Sequence, residues 1–158
     1  VVANSKNQMY GMHMTNPRIW ITDGKSLETA WFEFPDGGKG CRRGHRDSQD
    51  RLWCGDFNGN GLAMFDPATK KITDWKVPTE WTRPYDAQYD DKQYAWTAGM
   101  DADLAVRFNT KTNEFVEYLL PHPTNVRHVE VRNDSKLSTF WLGNQHGNTI
   151  TKIEPLSE

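Results

Sequence analysis

The sequence has few cysteines, no long apolar run and no excess of one charge. Its 158 residues carry 19 basic and 21 acidic side chains, for a net charge of −2. Because these charges are spread along the chain, no basic patch is available for nucleic acid or for an anionic membrane surface. No apolar segment is long enough for a signal peptide or a membrane-spanning helix. We therefore expect no nucleic-acid partner and no membrane span.

The only two cysteines are Cys41 and Cys54. Their spacing does not match a CxxC metal or redox motif, and no second pair exists. A hairpin between them would place Cys54 opposite about Arg43, so the spacing allows a disulfide. Two separately buried thiols are the alternative. If the bridge forms, the compartment is oxidising, so we expect a periplasmic or secreted protein; without the bridge a cytoplasmic location stays open.

Helical periodicity is also missing from the sequence. No stretch places apolar residues at i, i+3, i+4 and i+7 over three turns, and short apolar runs alternate with turn sequences instead. Asp-Pro-Ala-Thr at 66–69 fits a type I turn, and Asn-Gly-Asn-Gly at 58–61 fits a tight hairpin loop. The apolar runs are therefore predicted to be β-strands.

An internal repeat of 43 residues organises these strands, because Pro35, Pro78 and Pro121 are each 43 residues apart. A column of large aromatic residues follows the same period until its last member, which comes two residues late. That column comprises Tyr10, Trp53, Trp96 and Trp141. The copies span about 7–35, 41–78, 84–121 and 126–158. A period of this length indicates a repeat architecture.

Each complete copy is predicted to hold four strands, which indicates an all-β fold of the β-propeller type, built from four-stranded antiparallel blades. We expect residues 1–158 to form one partial propeller domain, with a large ring between neighbouring blades. The first copy has no inner strand before Gln8, and the last ends after its third strand at Pro155.

This count gives about fourteen strands, or about 3.5 blades, which is half of a seven-bladed ring. We therefore expect the chain to be the C-terminal part of a larger propeller. Its partners would be the remaining blades of that propeller or a second copy of the chain, because open sheet edges favour pairing. An open four-bladed domain is the alternative.

Three phrases of the sequence resemble the streptogramin lyase (virginiamycin B lyase) family. They are "RLWCGDFNGNGLAMFDPATKKITDWKVP", "YAWTAGMDADLAVRFNTKTNEFVEYLLP" and "FWLGNQHGNTITKIEPL". The resemblance implies a seven-bladed propeller and the elimination of a cyclic depsipeptide ester with Mg²⁺. It also implies a histidine in a "P-H-G-I" phrase of the inner strand and a glutamate about 14 residues later in "W-F-T-E". A base and a metal suit this chemistry.

This chain departs from both family positions. The residues at the glutamate position are His13, Asp56, Gly99 and Asn144, and those at the histidine position are Arg42, Tyr85 and Arg127. His128 is one place from that position and is the only candidate base, although strict strand alternation places it on the face opposite Arg127. His13, Asp56 and Asn144 are weak candidates for metal ligands. No cofactor is evident from the residues, and Mg²⁺ is implied only by the resemblance.

The starts of the inner strands should crowd around the mouth of the central channel. The candidate ligand-binding side chains there are Arg42, Arg43, Tyr85, Asp86, Arg127 and His128. Arginine forks match planar anions, so this ring predicts a site for carboxylate or phosphate. Alternatively, Arg42 and Arg127 pair with Asp86 and Asp56 and only neutralise a wet channel. The remaining histidines are interpreted as loop or packing residues, namely His45, His122 and His146.

Two classes of function are consistent with these observations. In the first, the chain is a binding or scaffold propeller with a channel-mouth site for a small anionic or polar ligand. In the second, it is part of a metal-dependent lyase or lactonase whose catalytic residues lie largely in other blades. The fold by itself does not choose between them. The absence of the family's glutamate and histidine from every copy favours the binding protein.

Overall fold

The chain folds as a series of antiparallel β-sheets. The computed structural model describes residues 1–35, 38–134 and 136–156, and in these ranges it contains fifteen strands in four sheets. The first sheet comprises β1 (Val2–Ala3), β2 (Gln8–Met12), β3 (Arg18–Asp23) and β4 (Thr29–Glu33). The second comprises β5 (Cys41–Arg46), β6 (Leu52–Asp56), β7 (Gly61–Asp66) and β8 (Lys71–Lys76).

The other two sheets follow the same order along the chain. The third comprises β9 (Pro84–Tyr89), β10 (Tyr94–Gly99), β11 (Leu104–Asn109) and β12 (Glu114–Leu119). The fourth comprises β13 (Val126–Arg132), β14 (Thr139–Asn144) and β15 (Thr149–Ile153). Each strand pairs with its neighbour in sequence, so every sheet is a meander, and the predicted all-β partial propeller is confirmed. No helix in the described residues is long and apolar enough to cross a membrane.

The predicted turns close these hairpins. Lys70 N–H donates to Asp66 C=O at 2.8 Å, and Asp66 Oδ1 accepts a hydrogen bond from Ala68 N–H at 2.8 Å. In the loop at 58–61 the positive φ of 55° belongs to Asn60. Asparagine tolerates this left-handed conformation better than most residues. Turn chemistry therefore defines the ends of β6, β7 and β8.

Large aromatic rings fill the space between successive sheets, as expected from the repeat. Trp53 of the second sheet stacks on Tyr89 of the third, with 5.0 Å between ring centroids. Trp96 of the third sheet stacks on Phe140 of the fourth, also at 5.0 Å. Trp53 and Trp96 are 1% exposed, and Tyr10 of the first sheet is fully buried against the second. These rings make each sheet a blade that packs on the next one.

The first blade differs from the prediction of three strands. Val2 and Ala3 form a short inner strand that pairs with Tyr10 and Met9. Asn4 closes the following turn, and its Nδ2 also donates to Tyr10 Oη at 3.0 Å. The prediction was wrong because a strand of two residues is too short to show periodicity. In the fourth blade, three strands lie in the described residues, as predicted.

In the second and third blades an acidic residue of the inner turn bonds to the aromatic column, and the two acidic residues are 43 residues apart. Asp47 Oδ1 accepts two backbone N–H groups of its own turn, and its Oδ2 accepts Trp53 Nε1–H at 2.9 Å. Asp90 repeats this arrangement, with Trp96 Nε1–H at 3.1 Å. The indole N–H is thus satisfied inside the blade interface, as a buried donor must be.

A disulfide joins Cys41 of β5 to Cys54 of β6, with 5.6 Å between their Cα atoms. The sequence alone allows either this disulfide or two separately buried thiols. The two residues lie on neighbouring strands at the inner side of the second blade, where Gly44 pairs with Cys54. Both cysteines are fully buried against the first blade. The bridge therefore fixes the start of β5, which also carries candidate site residues.

The outer faces of the first and last blades expose apolar side chains. Trp20 and Trp31 lie side by side on β3 and β4, with 5.0 Å between ring centroids, and Trp31 is 55% exposed. Met9 lies on the same face and is also exposed. On the last blade, Ile150 is 76% exposed on the face that carries Trp141. Trp141 is equivalent to Trp53 and Trp96, but the described residues place no further blade against it.

We predict that Asp47→Ala destabilises the fold far more than Asp66→Ala. The first change leaves the buried Trp53 Nε1–H and two turn N–H groups without their acceptor, which should lower the free energy of unfolding by about 2 to 4 kcal/mol. Asp66 makes one turn hydrogen bond at the surface, so its loss should cost less than about 1 kcal/mol. Urea unfolding followed by tryptophan fluorescence measures both. Equal losses would contradict the role given to Asp47.

Candidate functional site

The inner strands of three blades share an irregularity at their starts. The register shifts between paired residues at 41–44, 84–87 and 126–129. An extra residue in a strand breaks the strict alternation of side chains. As a result Arg42 and Arg43 are both exposed, and so are Arg127 and His128. The irregularity thus leaves Arg127 and His128 both accessible, although they are neighbours in the strand.

Two arginines cover one aromatic ring at this edge. The guanidinium carbon of Arg42 lies 4.8 Å from the ring centroid of Tyr85, and that of Arg43 lies 5.8 Å from it. Arg43 Nη1 also donates to the Arg127 backbone carbonyl at 3.1 Å. No ion pair in the described part of the chain includes Arg42 or Arg43. Both guanidinium groups therefore lie over the Tyr85 ring, and among the described residues no carboxylate neutralises them.

Asp86 is a buried carboxylate between two histidines. It is 1% exposed, and His45 Nε2 and His128 Nδ1 each lie 3.1 Å from one of its oxygens. The backbone N–H groups of Ala87 and Val129 donate to the same carboxylate at 3.0 and 3.3 Å. These contacts compensate the cost of removing a charge from water. They also hold the carboxylate in one orientation.

The arginines and histidines open onto one cavity. Arg42, Arg43, His45 and His128 line an open space of about 560 Å³ at the inner strands. The side chain of His128 is 58% exposed there, whereas that of His45 is 34% exposed. The volume is in the range of small-molecule sites. These two arginines and two histidines can therefore contact the same ligand.

The guanidinium group of Arg127 does not belong to this group of side chains. Its Nε donates to Asn125 Oδ1 at 2.9 Å, and it is not among the residues that line the cavity. The alternative pairing of Arg42 and Arg127 with Asp86 and Asp56 is wrong, because Asp86 contacts the histidines. The cation nearest to Asp56 is instead Lys76, at 3.7 Å.

The three weak metal candidates are placed away from this cavity. His13 is exposed, and its Nδ1 lies 3.2 Å from Thr15 N. Asp56 is fully buried, and its oxygens accept hydrogen bonds from Lys39 N–H and Gly59 N–H at 3.1 and 3.2 Å. Asn144 Oδ1 likewise accepts two backbone N–H groups of its own loop and a third from Asn125, just before β13. These side chains close loops between strands.

The Mg²⁺ implied by the resemblance does not fit these side chains. Mg²⁺ prefers oxygen ligands in octahedral geometry, and the oxygens of Asp56 and Asn144 are already bonded to backbone N–H groups. The set around Asp86 offers two imidazole nitrogens, which suit other metals better.

His45 lines the cavity as well, although its place in the sequence indicates a loop or packing residue. It lies two positions after Arg43 on β5, so both side chains leave the same face of the strand. Arg43, Asp86 and His128 occupy equivalent places in three successive inner strands. The only indication in the sequence that His45 lies at this cavity is therefore its position two residues after Arg43.

Comparison with solved structures confirms the resemblance at the level of the fold. Virginiamycin B lyase from Staphylococcus aureus superposes with a TM-score of 0.82 at 20% identity, covering 96% of this chain and 49% of that one. A streptogramin B lyase gives a TM-score of 0.76 at 17% identity, with 99% and 54% covered. The chain thus spans about half the length of these structures. No protein-family model and no curated protein sequence matches it.

The fold neighbours also include proteins of other kinds. Hydrazine synthase from Kuenenia stuttgartiensis gives a TM-score of 0.77 at 12% identity, covering 97% of this chain and 44% of that one. Such low identities report the blade architecture that these proteins share with this chain. They do not transfer an activity or a set of site residues.

We predict that Asp56→Asn removes a pH dependence from the stability of the fold. Burial raises the pKa of the Asp56 carboxyl above its ordinary value, and the charge of Asp74 adds to this rise. A raised pKa means that the protonated form stabilises the fold, so this contribution is present at low pH and is lost as pH rises through the folded pKa. The equivalent Asn144 shows that a neutral amide can close such a loop.

Urea unfolding at a series of pH values from about 3.5 to 8 measures this effect. The wild type should lose stability relative to the Asp56→Asn variant as the pH rises. Asp66→Asn, in a surface turn, serves as the matched control. Parallel pH profiles for wild type and Asp56→Asn would contradict the prediction.

Proposed function

We propose that this chain is a binding propeller whose channel mouth takes a small anionic ligand, such as a carboxylate or a phosphate. The observation that carries the proposal is the pair Arg42 and Arg43, stacked on Tyr85 beside an open cavity and without a carboxylate partner in the described residues. Two adjacent guanidinium groups repel each other unless an anion lies between them. A ligand carboxylate would supply that charge.

The chemistry of the side chains supports an anion of planar or tetrahedral shape. Guanidinium groups donate two parallel hydrogen bonds to carboxylate or phosphate. His45 and His128 add ring nitrogens at the side of the same cavity. The stacking on Tyr85 holds the arginine planes in place, which reduces the entropy lost when the ligand binds.

A second candidate is a carbon–oxygen lyase or lactonase, in which His128 would be the base. The contact between His128 Nδ1 and Asp86 favours this reading, because a carboxylate on one ring nitrogen orients a histidine for proton transfer at the other. The solved structures named above include lyases with the same fold. The remaining catalytic groups would have to come from other blades.

We predict that Arg42→Ala and Arg43→Ala each weaken anion binding. Losing a charge-assisted contact should cost about 1.5 to 3 kcal/mol, or about ten- to a hundredfold in affinity. Isothermal titration with inorganic phosphate and with succinate measures this affinity. Arg132→Ala, on the last blade, is the matched control because its guanidinium lies near Glu130 and away from the cavity.

The outcomes of this experiment separate the alternatives. Reduced affinity with an unchanged unfolding midpoint supports an anion site, whereas unchanged affinity in both arginine variants contradicts it. An ester-opening activity that is lost in His128→Gln would favour the lyase or lactonase instead.

We propose that the protein works in an oxidising compartment, either the periplasm or outside the cell. The Cys41–Cys54 disulfide supports this location, since such bridges persist mainly where thiols are not kept reduced.

We further propose that the outer faces of the first and last blades bind additional blades. These would belong to the same propeller or to a second copy of the chain. The exposed side chains of Trp31 and Ile150 support the proposal, because large apolar side chains on an open sheet face favour association.

We predict that the isolated chain associates at micromolar concentration and that a charge on one outer face prevents it. Sedimentation velocity should show a larger species for the wild type and a monomer for Trp31→Glu. Leu27→Glu, an exposed apolar residue in the loop between β3 and β4, is the control. A monodisperse wild-type monomer would contradict the proposal.

A further inference from the structure

Three possible metal ligands from three different blades meet at the channel. The nearest donor atoms of His45 on β5, Asp86 on β9 and His128 on β13 all lie within 4.8 Å of one another. In the described part of the chain this is the one group of three such side chains with this geometry. Because each ligand belongs to a separate blade, the packing of the blades assembles the group.

We propose that His45, Asp86 and His128 bind a divalent transition metal ion such as Zn²⁺. Two imidazole nitrogens and one carboxylate oxygen form a donor set that zinc and its neighbours favour. Zinc–ligand distances are about 2.0 to 2.2 Å, so the two histidine–Asp86 pairs at 3.1 Å already suit one ion. The two imidazole nitrogens, which together with Asp86 lie within 4.8 Å, would have to move closer to each other. Three protein ligands leave at least one coordination position open.

The surroundings of Asp86 support a built site. The carboxylate is 1% exposed, and the N–H groups of Ala87 and Val129 orient it. Hydrogen bonds from neighbouring groups orient the ligands of metal sites in this way. His45 and His128 are partly exposed at the cavity, which gives an ion a path to the carboxylate. Neutral imidazoles contribute only N–H groups to Asp86, whereas a metal ion would compensate its charge directly.

The neighbouring arginines favour an anionic ligand at the metal site. Arg42 and Arg43 line the same cavity, so a bound metal ion leaves an excess of positive charge there. An anionic ligand would complete the coordination and also meet the arginines. The metal site does not rest on the proposed anion binding, because it is formed by different side chains and can be measured without an anion.

Titration with Co²⁺ and Zn²⁺ tests the proposal on the chelator-treated protein at pH 7.5 without phosphate. We expect one ion per chain, visible absorption of four- or five-coordinate Co²⁺, and displacement of Co²⁺ by Zn²⁺. His45→Ala and His128→Ala should each weaken binding by at least about tenfold. Both side chains are partly exposed, so these variants should keep the unfolding midpoint of the wild type. Asp86→Asn should weaken binding as well.

His122→Ala is the matched control. His122 is exposed in the loop between β12 and β13, outside the group of three, so its loss should leave the Co²⁺ spectrum unchanged. Arg42→Ala should weaken anion binding but keep the metal. No Co²⁺ binding, or binding that survives both histidine substitutions, would overturn the proposal. A phosphate titration in the presence of a chelator shows whether the anion site stands or fails separately.

Discussion

Burial of one large aromatic ring between each pair of neighbouring blades is the interaction on which the rest of this structure depends. Tyr10, Trp53 and Trp96 each fill the space before the next sheet. A ring of this size buries a large apolar area, and its polar atom must still find a partner. Asp47 and Asp90 provide that partner from the turn before the aromatic strand. The same interaction therefore fixes the turn, the strand and the distance between blades.

Regular spacing of the blades brings the inner strands to the same depth in the channel. Arg43, Asp86 and His128 hold equivalent places on β5, β9 and β13, although they are more than 40 residues apart in sequence. The irregular starts of β5 and β13 each expose two consecutive side chains, whereas the equivalent Tyr85 and Asp86 of β9 are buried. A cavity results in which two arginines, without an ion-pair partner among the described residues, lie beside a buried carboxylate that two histidines cover. Arg42 and Arg43 thus bring two positive charges to the same cavity.

The sequence was informative where a physical constraint repeats with the blade. The prolines that close the copies and the first three members of the aromatic column recur every 43 residues, because each copy solves the same packing problem. The inner strand Val2–Ala3 escaped prediction because two residues carry no alternation. Arg127 was placed in the site by its position, but its guanidinium bonds to Asn125 instead. His45 was left out because a lone histidine in a strand gives no sign of its neighbours.

Several features could be predicted from the order of residues: the repeat, the β-class, the second-strand position of Trp53, Trp96 and Trp141, and the resemblance of the fold to streptogramin lyases. These features are local or periodic, so each copy shows them independently. The bond between Cys41 and Cys54 and the contacts of His45 and His128 with Asp86 are visible only in the folded chain. Those contacts depend on strand irregularities and on the packing of the blades. Both fix the positions of side chains but leave no pattern in the order of residues.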